Sequence, residues 1–310
     1  MHLIRHLPAT ADSACAVAIG NFDGLHRGHT AVLHAMHEAA RAAHLTPCVL
    51  TFEPHPRRFF APETPAFRLM RVSDKLAGLA AHGVARIAMP RFDGRFAAMP
   101  AEAFLERVLT QQLGAKAVIT GENFAFGHKR RGDSAMLQAW GTAHAIRIIT
   151  VPPVRVNDEI CSSSAIRNAI AAGNVAHAAQ LLGHSYTLTG RVVHGDGRGR
   201  TLGFPTANIA LAPDLLLPAF GVYAVRATHG STVFEGVANI GIRPTVAVSN
   251  RPSLEVHLFD TMQEIYGKKL TISLVDKIRD EQKFESLDAL KTQIATDSEN
   301  ARRILNPERM

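Results

Sequence analysis

The sequence contains few cysteines and no long hydrophobic run. Its three cysteines, Cys15, Cys48 and Cys161, are widely spaced, and the first two lie in apolar segments typical of strands. We therefore expect them to be reduced and structural. No apolar stretch reaches the length of a signal-peptide core or of a membrane span. These absences favour a soluble, cytoplasmic protein.

The sequence also lacks a basic stripe interleaved with aromatic residues, which binding of single-stranded nucleic acid requires. The formal net charge is nevertheless +7, and most of the excess precedes His184, with 19 Lys and Arg residues against 13 Asp and Glu. Such a bias is commonly a solvated basic surface, but Arg also binds phosphate oxygens well. We therefore expect small phosphorylated ligands, no nucleic-acid or membrane partner, and at most a weak homo-oligomer.

The chain has 310 residues, 46% of them hydrophobic, which is long enough for two domains. Strand-like and helical segments alternate over residues 1–184, which indicates an α/β domain with a parallel sheet. Over residues 185–310, short alternating segments and a turn at His229-Gly230 predict an antiparallel β-barrel, with a sandwich as the alternative. A terminal helix over Leu287–Leu305 is expected to pack on this barrel.

One stretch of the first domain combines a strand, glycines and two histidines. Cys15–Ile19 has the composition of a buried parallel strand, and Gly20 and Gly24 allow the tight turns that follow. A helix is predicted just beyond, which places His26 and His29 at its N-terminus, where backbone N–H groups favour phosphate. Histidines in loops are more often surface residues, but the strand before them and the helix after them favour a phosphate site.

Three other loops follow strands of the same predicted sheet. They are Glu53–Arg58, Gly121–Gly127 and the segment that contains Ser163 and Ser164, with Arg167 one helical turn later. Ligands bind beyond the carboxyl ends of parallel strands, so these loops are expected to share the site. Ser163 or Ser164 would alternatively be a helix N-cap, a role that is compatible with binding phosphate.

The second domain has its own glycine-rich segment, Gly195–Gly203. It matches neither a P-loop nor a Rossmann fingerprint, and a flexible surface turn is the simpler interpretation. Thr206 and Asn208 favour a binding site over a surface turn, because side chains two residues apart in an extended segment point to the same side. A hydroxyl and an amide oxygen placed in this way suit a magnesium–phosphate unit.

These motifs resemble two known families. Gly20–His29 resembles the extended HxGH signature of bacterial FAD synthetases, which are nucleotidyltransferases, and Gly203–Asn208 resembles the PTAN signature of riboflavin kinases. Gly236–Gly241 and Leu254–Asp260 also fit the kinases. The combined resemblance covers nearly the whole chain, in family order, and implies a Rossmann-like nucleotidyltransferase sheet followed by a barrel.

For the first domain, the resemblance implies transfer of an adenylyl group from ATP to FMN. His26 and His29 would stabilise charge on the α-phosphate and on the departing pyrophosphate, and Arg167 would reach the same phosphates. Asn123 and Phe124 would lie near FMN. Further contacts with ATP or its phosphates are expected from Gly20, Phe22, Gly24, Ser163 and Ser164.

For the second domain, the resemblance implies phosphorylation of riboflavin by ATP. Thr206 and Asn208 would bind Mg²⁺, and Glu255 would be the general base for the ribityl 5′-hydroxyl. Arg279 would contact the flavin. Further contacts with the ATP phosphates are expected from Gly197, Gly199, Gly203 and Asn208.

The resemblance as a whole implies a bifunctional enzyme that converts riboflavin to FMN and FMN to FAD, using Mg²⁺ and ATP in both steps. A nucleotidyltransferase with another acceptor, fused to the same kinase, is one alternative, because motifs do not fully define the acceptor. A flavin-binding regulator is another. It would have no chemical need for His26, His29, Thr206, Asn208 and Glu255 together.

Overall fold

The computed structural model describes residues 1–195, 203–242, 252–260 and 265–307. Contacts between residues divide the chain into two compact units. The first comprises Met1–Pro65 and Val72–Ser162, and the second comprises Ala66–Arg71 and Ser163–Met310. The main division between the compact units thus falls after residue 162. The boundary at residue 184 was predicted from a change in sequence pattern, and it stays a prediction about functional domains.

The first unit contains a parallel sheet of six strands, in the order β1-β4-β3-β2-β5-β6. All five residues of β2 are buried, as the continuous apolar run predicts. From β2 the chain builds β3 and β4 on one side, and then crosses to build β5 and β6 on the other. The order therefore reverses between β2 and β5, where ligands bind in such sheets. The strands are β1 His2–Ile4, β2 Cys15–Ile19, β3 Thr46–Leu50, β4 Arg86–Ala88, β5 Ala115–Gly121 and β6 Arg147–Val151.

Helices connect these strands. The predicted first helix is present as α1, and its buried residues recur at helical spacing. Helix α5 begins at Ala101, and Phe104–Gln112 continues from it as a π-helix. The helices are α1 Arg27–Ala42, α2 Pro56–Phe60, α3 Val72–Ala81, α4 Gly94–Ala97, α5 Ala101–Ala103 and α6 Ser134–Ala143, with a 3₁₀ turn at His128–Arg130. A small antiparallel ribbon follows, formed by β7 Arg155–Val156 and β8 Glu159–Ile160.

The three cysteines are buried and are free thiols in the structure. Cys15 and Cys48 lie on the neighbouring strands β2 and β3. A hydrogen bond with Cys48 lowers the pKa of Cys15 to about 7. Both thiols belong to the core on one face of the sheet, which supports the structural role expected for them.

The second unit contains a closed antiparallel barrel, which confirms the predicted barrel and excludes the sandwich. The strands occur in the order β10-β13-β12-β11-β14-β9. Gly230, with φ +59°, turns the chain between two of them at the predicted hairpin. The strands are β9 Tyr186–Val193, β10 Ala207–Ala210, β11 Gly221–His229, β12 Thr232–Ile242, β13 Pro252–Leu258 and β14 Lys269–Arg279.

Among the residues that the structure describes, three helices accompany the barrel: α7 Ser163–Ala171, α8 Val175–Leu182 and α9 Leu287–Leu305. The terminal helix α9 buries Ala301 and Leu305 against Val222 and Val237 of the barrel, as the sequence predicts. No helix in the ranges that the structure describes is long and apolar enough to cross a membrane.

Candidate active sites

The loop after β2 contains left-handed backbone at non-glycine positions. Phe22 has φ +50° and Leu25 has φ +44°, with Gly24 at φ +92° between them. Such conformations strain residues other than glycine, and they persist where surrounding contacts hold them. Here the Phe22 ring is fully buried and packs over Gly20. Phe22 therefore shapes the loop from within, and its predicted contact with ATP stays a prediction.

The two histidines lie at the N-terminus of α1, as predicted. His26 is the N-cap residue, and its Nδ1 accepts a hydrogen bond of 3.3 Å from the backbone N–H of His29. The two imidazole rings are stacked, with centroids 3.7 Å apart. Because Nδ1 of His26 is an acceptor, a neutral ring carries its proton on Nε2, where it can donate to an anion. This arrangement suits a site for phosphate charge.

A cavity of about 520 Å³ lies in the first unit, at the carboxyl ends of the strands. Gly20 and Asn21 from the loop after β2 line it together with Asn123 and Phe124 from the loop after β5. The structure thus brings these two predicted loops together at the point where the strand order reverses.

The walls of this cavity are mostly aromatic. Phe124 and Phe126 are stacked at 5.3 Å between centroids, and further rings meet edge to face. The other aromatic residues that line the cavity are Phe52, Phe60, Phe92, Phe96 and Phe104. None of these five residues was predicted as a site residue, although Phe52 and Phe92 each follow the end of a strand. Flat apolar walls of this kind suit a planar ring system.

Three cationic residues, Arg57, Lys129 and Arg130, also line the cavity. Lys129 and Arg130 lie in a tight turn after Gly127, which has φ +72°. A Cβ atom at Gly127 would lie 2.6 Å from the Cα of Ala101, so only glycine fits there. The sequence signal for this feature was the basic cluster that follows Gly127.

Ser163, Ser164 and Arg167 belong to the second compact unit. Helix α7 begins at Ser163, so the N-cap position falls on Ser162. The Nε of Arg167 donates to the carbonyl oxygen of Phe67 at 2.8 Å, and its guanidinium lies over the Phe67 ring. The predicted grouping of these residues with the two histidines stays a prediction.

In the barrel, strand register brings distant polar residues side by side. Asn208 of β10 is directly opposite Glu255 of β13, and Glu255 is opposite Asn239 of β12. Directly opposite residues share a face of the sheet. The neighbours of Glu255 in sequence, Leu254 and Val256, are buried, so Glu255 faces outwards.

Asn208 has the character of a ligand-binding residue. Its side chain is 6% exposed, and Oδ1 has no hydrogen-bond partner in the described part of the chain. A Cβ atom at Gly195 would clash with Nδ2 of Asn208, so the glycine-rich segment starts directly over this side chain. Of the predicted phosphate contacts, Gly203 is described, with φ +88°, whereas Gly197 and Gly199 lie outside the described residues.

The donors at this place fit Mg²⁺. The buried amide oxygen of Asn208, the hydroxyl of Thr206 and the carboxylate of Glu255 are hard oxygen donors, and Mg²⁺ commonly uses few protein ligands together with substrate phosphates. Among the residues that the structure describes, no group of three or more His, Cys, Asp or Glu side chains could hold a metal ion. An ion here would therefore depend on these few oxygen donors together with the phosphates of the substrate.

A second cavity, of about 340 Å³, lies between the outer face of the barrel and α9. Thr206, Asn239 and Glu255 line it from the barrel, and Leu290 and Ile294 line it from the helix. The lining therefore combines polar side chains, among them the predicted base, with apolar ones. Such a pocket suits a ligand with a hydroxylated chain and a flat ring.

Arg279 also lines this cavity, but its guanidinium is engaged within the protein. Nε and Nη2 donate to the carboxylate of Asp297 at 2.7–3.0 Å, and Gln293 donates to the same carboxylate. The side chain of Asp297 is only 3% exposed. Arg279 therefore anchors α9 to the end of β14, and its predicted contact with the flavin stays a prediction.

His257, which was not predicted from the sequence as a site residue, lies two residues after Glu255 on the same outer face. Its Nδ1 is 2.9 Å from the carbonyl oxygen of Pro205, and its ring meets Phe204 edge to face. His257 thus supports the segment that leads into Thr206. The period-two spacing from Glu255 was the signal that could have identified it.

Two family models match consecutive parts of the chain: the model for FAD synthetase matches residues 9–165, and the model for riboflavin kinase matches residues 182–305. Helices α7 and α8 lie almost wholly between the two matches.

Several curated relatives match the full length, and each is described as a bifunctional riboflavin kinase/FMN adenylyltransferase. The relative from Escherichia coli strain K12 is 44% identical over 300 residues, covering 96% of this chain and 95% of the relative. The relative from Haemophilus influenzae is 41% identical and that from Pseudomonas fluorescens 39%, each over 309 residues; they cover 99% of this chain and, respectively, 100% and 99% of the relative.

A solved structure has the same fold over nearly the whole chain. It is a protein from Streptococcus pneumoniae described as a macrolide-efflux protein, with a TM-score of 0.88 and 32% identity, and the match covers 97% of this chain and 98% of that one. Two family models in consecutive order and full-length relatives above 30% identity agree with the resemblance inferred from the motifs. The chain belongs to the family of bifunctional riboflavin kinase/FMN adenylyltransferases.

Proposed function

We propose how the two activities of this family are distributed over the residues of the chain. The chain is an enzyme with two activities: it phosphorylates riboflavin to FMN and adenylylates FMN to FAD, with ATP as the co-substrate of both steps. The family assignment favours this function over a nucleotidyltransferase with another acceptor and over a flavin-binding regulator.

We assign adenylyl transfer to the first unit. A phosphate oxygen of FMN attacks the α-phosphorus of ATP, and the bond to the departing pyrophosphate breaks, so no protein nucleophile is needed. His26 and His29, stacked at the N-terminus of α1, stabilise the charge that moves onto the pyrophosphate. The aromatic cavity that Gly20 and Asn21 of the same loop line, with Asn123 and Phe124 in its wall, receives the isoalloxazine ring.

Further phosphate contacts complete this proposal. We also assign contacts with ATP to the loop that contains Gly20, Phe22 and Gly24, because this loop leads into the N-terminus of α1. Ser163, Ser164 and Arg167 carry hydroxyl and guanidinium donors that bind phosphate oxygens. Their assignment rests on the motif that they form in the sequence.

We assign phosphorylation of riboflavin to the barrel, with Glu255 as the general base. The observation that carries this assignment is the register that sets Glu255 directly opposite Asn208, whose buried Oδ1 has no protein partner among the described residues. Glu255 accepts the proton of the ribityl 5′-hydroxyl as the oxygen attacks the γ-phosphorus of ATP, and ADP leaves.

Thr206 and Asn208 would hold Mg²⁺, which neutralises charge on the transferring phosphate. The glycine-rich segment, including Gly197, Gly199 and Gly203, would bind the ATP phosphates through its backbone. The cavity between the barrel and α9 would hold the flavin, with Arg279 beside it.

Cellular location and assembly are also proposals. The three buried cysteines form no disulfide, which fits a reducing compartment such as the cytoplasm. We expect no nucleic-acid or membrane partner, at most weak self-association, and a functional boundary near residue 184.

The proposed function is tested by incubating the purified protein with riboflavin, ATP and Mg²⁺ and separating the flavins by chromatography over time. FMN should form first and FAD later, and chelation of Mg²⁺ should stop both steps. FMN without FAD would indicate another acceptor for the first unit. Absence of both products would contradict the proposal.

A further inference from the structure

One buried cation has no place in the mechanism described so far. Lys75 lies on α3 and is only 5% exposed. A lysine is rarely buried to this extent unless its ammonium group is well paired, because removing a charge from water is costly. The residues that Lys75 contacts therefore indicate what it does.

Lys75 joins three segments of the first unit. Its Nζ donates to the backbone carbonyl oxygen of Asn21 at 3.3 Å and to Oγ1 of Thr51 at 3.2 Å. The hydroxyl of Thr51 in turn donates to the same carbonyl oxygen at 3.1 Å. The carbonyl of Asn21 thus accepts two hydrogen bonds, and the three groups form a closed triangle that uses two of the three Nζ protons and the hydroxyl proton of Thr51.

This triangle ties α3 and the residue after β3 to the beginning of the loop after β2. The carbonyl of Asn21 belongs to the peptide group shared with Phe22, which has the left-handed φ of +50°. Fixing this carbonyl therefore holds a strained backbone conformation that would relax without support.

The side chain of Phe22 connects this backbone conformation to the two histidines. The Phe22 ring is fully buried and lies 5.1 Å from the ring of His29, measured between centroids. The ring of His29 is stacked on that of His26 at 3.7 Å. A continuous series of contacts therefore runs from the ammonium group of Lys75 to the two imidazoles.

We propose that Lys75 is a positioning residue for FMN adenylylation: by holding the carbonyl of Asn21 together with Thr51, it sets the loop conformation that places His29. The inference rests on the proposed role of His29 in that reaction. Lys75 acts through the loop and needs no contact with ATP or FMN.

The test is Lys75→Met in the full-length chain. Methionine has similar length and no donor, and the carbonyl of Asn21 keeps its hydrogen bond from Thr51, so the fold is retained. A small displacement of a catalytic group costs up to about 10²-fold in rate. We expect kcat for FAD formation to fall at least tenfold, the KM values for ATP and FMN to change less than threefold, and riboflavin phosphorylation by the same sample to stay unchanged.

Two further variants test the triangle itself. Thr51→Val removes the hydroxyl and should lower kcat for FAD formation, as Lys75→Met does. Thr51→Ser retains the hydroxyl, and its kcat should return to that of the unmodified chain. Lys116→Met, which removes an exposed lysine of β5, is the matched control and should leave both activities unchanged.

The proposal is overturned if Lys75→Met keeps kcat for FAD formation within twofold of the unmodified chain. A parallel loss of kinase activity and of thermal stability would also overturn it, because it would indicate a general structural role. A tenfold rise in KM for ATP with unchanged kcat would indicate direct substrate binding instead.

A His29→Ala variant distinguishes failure of the role proposed for Lys75 from failure of the role proposed for His29. If His29→Ala abolishes FAD formation and Lys75→Met does not, only the inference about Lys75 fails. If His29→Ala leaves FAD formation intact, the proposed role of His29 fails, and the inference fails with it.

Discussion

The two candidate sites use different parts of their sheets. In the first unit, His26, Asn123 and their neighbours lie in loops beyond the ends of parallel strands, and the loops are held by left-handed residues and a helix N-terminus. In the barrel, Asn208 and Glu255 lie within antiparallel strands, and register alone places them side by side.

This difference determines how each site can fail. A loop site depends on contacts that hold irregular backbone, such as those of Phe22, so substitutions behind the loop are expected to reach the chemistry. A register site is held by many regular hydrogen bonds, so individual side chains can be replaced with little movement of their neighbours. Because one chain carries both sites, each activity is a control for the other.

The largest effect is expected for Glu255→Gln in the barrel. Removing the proposed base should lower the rate of riboflavin phosphorylation roughly 10²–10⁴-fold, because the amide cannot accept the hydroxyl proton, whereas FAD formation from supplied FMN should stay within twofold. Chromatographic rates of both reactions provide the measurement. Glu299→Gln, at an exposed position of α9, is the matched control. Retention of more than a tenth of the kinase rate would contradict the assignment of the base.

The corresponding change in the loop site is His29→Ala. Loss of one group that stabilises charge in the transition state should lower the rate of FAD formation roughly 10²–10³-fold, with riboflavin phosphorylation unchanged. His34→Ala, at an exposed position of the same helix, should leave both rates unaltered. If His29→Ala slows both reactions equally, the two sites are not independent, and neither activity can be a control for the other.

The free energy of unfolding should report how strongly α9, the helix that completes the cavity, is anchored to the barrel. Asp297→Ala leaves the guanidinium of Arg279 without its carboxylate partner, and breaking a largely buried pair of this kind costs about 3 kcal/mol of the free energy of unfolding. Urea denaturation followed by circular dichroism measures this change. Asp260→Asn removes the charge from the exposed pair with Arg302 and suits the left-handed φ of +52° at this position, so it should have no measurable effect. Equal effects of the two substitutions would contradict the anchoring role of Asp297.

The smallest effect is expected for Asn208→Ala. Loss of one proposed ligand should raise the Mg²⁺ concentration for half-maximal kinase activity roughly tenfold. The free energy of unfolding should hardly change, because Oδ1 of Asn208 has no protein partner among the described residues. Titrations of both activities with Mg²⁺ in one sample check this. A large loss of stability with an unchanged Mg²⁺ requirement would make Asn208 structural.

Local patterns were enough to predict much of the first site. The apolar run of β2, the glycines after it and the helical spacing of α1 placed His26 and His29 at a helix N-terminus, where the structure has them. These local patterns were sufficient because strand, turn and helix are determined mostly by residues near one another in sequence. The same reasoning placed Thr206 and Asn208 on one side of an extended segment.

Other features depended on residues that are far apart in the sequence. The pairing of Asn208 with Glu255 follows from barrel register, which no local pattern determines. The anchoring of Arg279 by Asp297 depends on where α9 docks, and the burial of Lys75 depends on how α3 covers the loop after β2. Helices α7 and α8 continue the alternation of the first domain in sequence, yet their contacts place them in the second unit.

The sequence by itself determined the two domain types, the family motifs and the loops that carry the histidines, because each of these is written in short stretches of residues. Only the tertiary structure decided which side chains share a cavity, which are occupied by a protein partner, and which buried groups hold the loop of Phe22 in a strained conformation. Those outcomes depend on packing and hydrogen bonds between segments that meet only in the folded chain.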